Sequence, residues 1–119
     1  MSEDEQFVRE HWERAEDCPK EVNGSPKSVS ISMGGRMFTR ACIPQDDSAR
    51  SFREAWAAAA EFTRNRLEEI RLQQIDCEVL QHFAEDQDGS YQGKAFERVL
   101  EREQARLTEL RRGMKSSIS

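Results

Sequence analysis

The sequence predicts an α+β fold: a small N-terminal antiparallel β-hairpin or sheet, then a long antiparallel helical hairpin that oligomerises. Three stretches of the chain predict it. Residues 28–33, Ser-Val-Ser-Ile-Ser-Met, alternate polar and apolar with period two, as a half-buried strand does. Residues 51–84 hold no Gly and no Pro and are rich in Ala, Glu, Arg, Leu and Gln, all good helix formers. Residues 93–114 carry one tight apolar stripe at helical spacing.

The chain has 119 residues, which suits a single domain, 1–119. Apolar content is 36% and charged content 34%, so a monomer core is thin and oligomerisation would add burial. The net charge of −5 argues against broad nucleic-acid binding through a basic surface. No apolar run approaches the roughly 20 residues that cross a bilayer, and the acidic start lacks a signal-peptide core. A cytoplasmic protein is expected. Cys18, Cys42 and Cys77 are odd in number and widely spaced, which fits neither a disulfide framework nor a zinc site.

The sheet region is expected over 7–44. Phe7, Val8, His11 and Trp12 have helical spacing and predict a short helix, with a strand beginning near Trp12 as the alternative. Pro19 and Asn23-Gly24-Ser25-Pro26 punctuate the chain. Gly34-Gly35 can take the positive φ angles of a two-residue hairpin turn, which returns the chain along Arg36–Ile43. In that register Ile31 faces Phe38 and Met33 faces Arg36. Val29, Ile31, Met33 and Phe38 then share a face with Arg36 and Arg40. Such a face serves as core with arginines at its edge, or receives an anionic ligand bearing a ring.

Pro44-Gln45-Asp46-Asp47 links the hairpin to the long helix, expected over 51–84. Ser51 and Glu54 match a capping box. At 100° per residue, Phe52, Trp56, Ala59, Thr63, Leu67, Ile70 and Cys77 form one stripe. Leu72, Ile75, Val79 and Phe83 form a second, more than a third of a turn away. One partner helix covers one stripe, so the second predicts another subunit, a sheet or a loop. After the Gly89 and Gly93 loop, the second helix is expected over 93–114, with Phe96, Val99, Leu100, Leu107, Leu110 and Met114 on one face and Glu103 interrupting it. Gly113 is a plausible stop and 115–119 a disordered tail. Asp86-Gln87-Asp88-Gly89 partly matches a calcium loop, but Ala95 stands where the bidentate Glu belongs.

No catalytic pattern is present. His11 and His82 fit no metal motif, and no phosphate loop or nucleophile elbow occurs. The protein is therefore expected not to be an enzyme and to need no cofactor or metal. Two features suit binding. Arg102, Arg106, Arg111, Arg112 and Lys115 crowd the last helix, where cations also favour the helix dipole. Phe83 and Tyr91 flank the interhelix loop. Arginine gives bidentate contacts to phosphate and an aromatic ring stacks on a base, so the loop of one subunit closing on the last helix of another would suit a small nucleotide. The candidate ligand residues are Arg36, Arg40, Phe83, Tyr91, Arg106, Arg111 and Arg112.

The run Trp56–Arg71 (WAAAAEFTRNRLEEIR), preceded by a small sheet and by His11-Trp12-Glu13, resembles short phage and prophage proteins, and among these the anti-Thoeris sponge family. The likeness spans roughly residues 7–112 in order of elements. It implies a small sheet with two long helices, self-assembly into dimers or larger oligomers, and sequestration of cyclic ADP-ribose signals, in some members cyclic oligonucleotides, without cleavage. It implies action in the cytoplasm of an infected bacterial host. No family ligand motif matches residue by residue. The alternative from another class is a phage inhibitor of the anti-CRISPR type that acts by protein–protein contact. A continuous acidic face would mark a nucleic-acid mimic, whereas Arg64, Arg66, Glu68, Glu69 and Arg71 interleave the charges.

Overall fold

A computed structural model describes residues 2–22, 25–42, 48–86 and 91–115. The fold is α+β, a three-stranded antiparallel sheet followed by two long helices in contact. Its elements are α1 (Glu3–His11), β1 (Ala15–Val22), β2 (Ser25–Met33), β3 (Arg36–Ala41), α2 (Ser48–Asp86) and α3 (Tyr91–Leu110). The link at 44–47, the loop tip at 87–90 and the tail from 116 lie outside the described residues. The chain divides into two compact units, Met1–Arg64 with Gly113–Ser119, and Asn65–Arg112. The first part of α2 belongs to the first unit and the rest to the second.

In the first unit, α1 forms because Ser2 caps it, its hydroxyl accepting from the Glu5 amide at 3.2 Å. Glu3, Asp4 and Glu5 fill the first turn, where negative charge suits the helix dipole. The helix expected near Phe7 is thus present, but Trp12 stands just past its end in extended conformation. The sheet runs β1-β2-β3. Pro19 is tolerated in β1 because that strand is an edge. The β2–β3 register pairs Ile31 with Phe38 and Met33 with Arg36, as the alternation requires. Gly34 and Gly35 make the turn at φ +54° and +76°. Val29, Ile31 and Met33 are fully buried, while Arg36 and Arg40 on the same face are exposed.

Trp12 is the centre of this core. It is buried, and its Nε1 donates to Thr63 Oγ1 at 2.9 Å. Thr63 in turn donates to the Ala59 carbonyl at 2.8 Å, so no polar group of the pair is wasted. Phe62 stacks on Trp12 with centroids 6.1 Å apart. The C-terminal segment closes over the same place. Glu13 N donates to Gly113 O at 2.9 Å, Lys115 N donates to His11 O at 3.0 Å, and Trp12 and Met114 form an isolated bridge.

Four helix boundaries differ from the sequence expectation. Helix α2 begins at Ser48, so Ser51 is not its cap; the buried Ser51 hydroxyl donates to the Ala41 carbonyl at 3.1 Å and ties the helix to the end of β3. Helix α2 also runs on to Asp86. Helix α3 covers Tyr91–Leu110 rather than 93–114, because Arg111–Gly113 turn, Gly113 at φ +80°, and release Met114 to pair with Trp12. Lys115, expected in a disordered tail, holds a backbone hydrogen bond.

In the second unit α2 and α3 run antiparallel. Arg66 Nη1 donates to the Leu110 carbonyl at 3.1 Å, Gln73 Nε2 donates to the Glu103 carbonyl at 2.9 Å, and Phe83 stacks on Phe96 at 5.7 Å. Gln73 also donates to the Glu103 carboxylate, which explains the acid in the apolar stripe of α3: it has a buried amide opposite. The first stripe of α2 is buried at Trp56, Ala59 and Thr63 within the first unit and at Ile70 and Cys77 within the second.

Candidate functional site

The second stripe of α2 is uncovered. Leu72 is 52% exposed, Ile75 46%, Val79 50% and Phe83 49%, and Val99 on α3 is 39% exposed. Together they make a line of large apolar side chains, about half in water, along the hairpin.

The seven candidate ligand residues fall into both units. In the first, the Arg36 guanidinium lies 4.7 Å over the Phe62 ring, and Arg40 Nη1 donates to the Thr39 carbonyl at 2.8 Å. These arginines edge a hydrophobic core formed by Val29, Ile31 and Met33. In the second unit, Phe83 stands at the loop end of the hairpin, and Tyr91 is the first residue of α3, its side chain outside the described set. Arg106, Arg111 and Arg112 lie toward the other end of the hairpin. A helix of α3's length spans about 30 Å, so one chain does not bring Phe83 and Tyr91 to Arg111 and Arg112. Arg106 is exposed and has no hydrogen bond or ion pair among the described residues. Arg112 pairs with Glu109 at 3.2 Å, both exposed, a contact worth little in water.

Sequence spacing gave no sign of a cavity of about 380 Å³ in the first unit, lined by Glu5, Asp17, Phe52, Arg53 and Trp56 among others. It arises only because α1, β1 and α2 meet, and it contains none of the seven candidates. Its two carboxylates and single guanidinium do not favour an anion. His11 and His82 are engaged locally, His11 Nδ1 with the Phe7 carbonyl at 2.7 Å and His82 with Asp86 at 3.8 Å. Among the described residues no group of three His, Cys, Asp or Glu is placed to hold a metal, and no helix is long and apolar enough to cross a membrane.

One titrating group stands out between α2 and α3. Burial raises the Cys77 thiol above its usual range, Glu103 and Asp76 add to the effect, and Gln73 and Arg111 oppose it. The folded chain therefore keeps this proton where the unfolded chain releases it. The stabilisation is present below the ordinary thiol pKa of about 8.5 and is lost as pH rises above it. Denaturant titrations at neutral pH and near pH 10 should show a larger loss for the native chain than for Cys77→Ala. Equal losses would show that the thiol is not coupled to folding.

Compared with known proteins, the chain matches no family model, no curated protein and no solved structure.

Proposed function

We propose that this protein is a phage-encoded anti-defence protein that binds and sequesters a cyclic nucleotide signal without cleaving it, a cyclic ADP-ribose isomer first and cyclic oligonucleotides next. The observation that carries this reading is the uncovered stripe Leu72, Ile75, Val79 and Phe83 on a hairpin whose aromatic and cationic ends are apart. A second copy on that stripe would place Phe83 and Tyr91 of one chain near Arg106 of the other, with Arg111 and Arg112 beyond. Rings would stack on a base and guanidinium groups would take the phosphates, charge-assisted bonds stronger than neutral ones. Arg36 and Arg40 belong to the first unit and are proposed separately, as exposed cations of the sheet that would take a phosphate in place of a ring face or a neighbouring carbonyl. Capture of this kind needs no acid, base or nucleophile, and it would take place in the cytoplasm of the infected host.

Charge distribution bears on the alternative, an anti-CRISPR-type inhibitor that works by protein contact. Arg50–Glu54, Glu68–Arg71 and Glu109–Arg112 pair along the helices, so opposite charges interleave where a nucleic-acid mimic would show a continuous acidic face.

Thermal shift against cyclic ADP-ribose isomers and cyclic di- and trinucleotides tests the proposal, with mass spectrometry of the heat-released ligand. A ligand at 100 times its Kd stabilises by about 2.7 kcal/mol. A shift with the ligand recovered intact is the expected result. No shift with any of them passes the weight to the protein-binding inhibitor. Arg106→Ala should weaken capture about tenfold or more, the worth of one charged hydrogen bond, with assembly by light scattering unchanged. Native affinity in that variant removes Arg106 from the site.

A further inference from the structure

The cavity of the first unit is bordered by charges that the fold leaves uncommitted. We infer that it binds a small zwitterion, an α-amino acid with an apolar side chain. The ammonium group meets Asp17, the carboxylate meets Arg53, and the side chain lies on Phe52 and Trp56. This goes beyond nucleotide capture and does not depend on it, because the cavity contains none of the seven candidate residues and no part of the second α2 stripe.

In β1, Asp17 stands opposite Ile31 and so shares the sheet face on which Val29, Ile31 and Met33 are buried. Alternation calls for an apolar side chain there, and Ala15, two residues earlier on the same face, supplies one. Asp17 instead lines the cavity, and its carboxylate has no hydrogen bond or ion pair among the described residues. Arg53 lines the same cavity from the second turn of α2, and its guanidinium is likewise without a partner among the described residues. Two opposite charges thus border one space without closing on each other.

The remaining charges nearby are committed. Glu5 pairs with Arg9 at 3.4 Å, and Arg9 also donates to the Ala15 carbonyl at 2.8 Å and lies 5.0 Å over the Trp56 ring. What the cavity offers a ligand is therefore one anion and one cation. A simple cation or anion would satisfy one of them, whereas a zwitterion satisfies both, with the guanidinium able to hold a carboxylate through two bonds. Phe52 and Trp56, four residues apart, lie on one side of α2 and give an apolar wall against which an aliphatic or aromatic side chain loses water. The volume of about 380 Å³ stands at the small end of the roughly 300–1,000 Å³ of ligand pockets, which suits a molecule of amino-acid size.

The test titrates the ¹⁵N-labelled full chain with L-leucine and with L-phenylalanine, followed by amide chemical shifts at a pH of about 6.5, where an α-amino group is charged. The expected result is saturable shifts confined to α1, β1 and the start of α2. Leucinamide, which lacks the carboxylate charge, and 4-methylpentanoate, which lacks the ammonium, should each bind about tenfold more weakly than leucine. Arg53→Gln should lower the affinity for leucine to that of leucinamide, and Asp17→Asn to that of 4-methylpentanoate. Both side chains are exposed, so the variants keep the fold. Leucinamide or 4-methylpentanoate binding as well as leucine would overturn the zwitterion. Leucine affinity unchanged in both variants would overturn the site. Absence of saturable shifts with either amino acid would also overturn it, and leave Asp17 as an inward charge guarding the β1 edge. None of these outcomes bears on the nucleotide screen.

Discussion

Replacing Gly34 with alanine is expected to cost on the order of 3 kcal/mol or more of folding stability, while Gly35→Ala costs about 1–2 kcal/mol. Both glycines sit at positive φ, so both substitutions incur the left-handed backbone penalty. Only Gly34 lies beneath the Trp12 ring, where an added Cβ would come 2.3 Å from Cζ3 and 2.9 Å from Cε3. At Gly35 the same atom meets nothing within 4 Å. The ring has no room to yield. It is held by its bond to Thr63, backed by Phe62, and overlain by Gly113, whose own Cβ would stand 3.7 Å from it. Relief therefore means displacing the chain segments that close the first unit. Thermal denaturation of the two variants reads the difference directly, a Tm loss of about 10 °C or more for Gly34→Ala and only a few degrees for Gly35→Ala. Equal losses would mean that turn conformation alone governs this position and that Trp12 is free to move.

Ile75→Asp and Val79→Asp are expected to abolish self-association while leaving the helical hairpin intact. Both side chains are about half exposed in the single chain, so a carboxylate there stays solvated and costs the monomer little. In a paired seam the same carboxylate would be stripped of water opposite an apolar side chain, or opposite another carboxylate of the second copy. That penalty is several kcal/mol per ion and exceeds what a seam of this size supplies. Light scattering should fall to the single-chain mass of 13.8 kDa, with the helical circular dichroism retained. A native oligomeric mass in both variants would place assembly on another surface and remove the observation that carries the proposed function. Loss of helical signal would instead show that the stripe supports the hairpin itself.

Local chemistry made most of the elements legible in the sequence. The β2–β3 register follows from period-two alternation and a glycine pair whose φ freedom fixes a two-residue turn. Two stripes on α2 follow from 3.6-residue periodicity, and antiparallel helices follow from a short connection. The ends of elements were less legible, because tertiary partners decide them. Ser51 has the residue type and spacing of a cap, yet a carbonyl from β3 takes its hydroxyl inside the helix. Met114 has the spacing of the α3 stripe, yet Gly113 turns it away to pair with Trp12.

The candidate site divides in the same way. Residue chemistry alone selects arginines and exposed rings as partners for a phosphate and a base, and it does so without distances. Where those groups stand depends on contacts between residues far apart in sequence. The sequence by itself determined the α+β class, the strand register and the surplus apolar stripe, because backbone sterics and side-chain period act within a few residues. Only the tertiary structure decided that Trp12 anchors the first unit, that Glu103 answers Gln73, and that the second stripe of α2 remains in water. Burial and hydrogen-bond partnership are properties of neighbours in space, which no local pattern encodes.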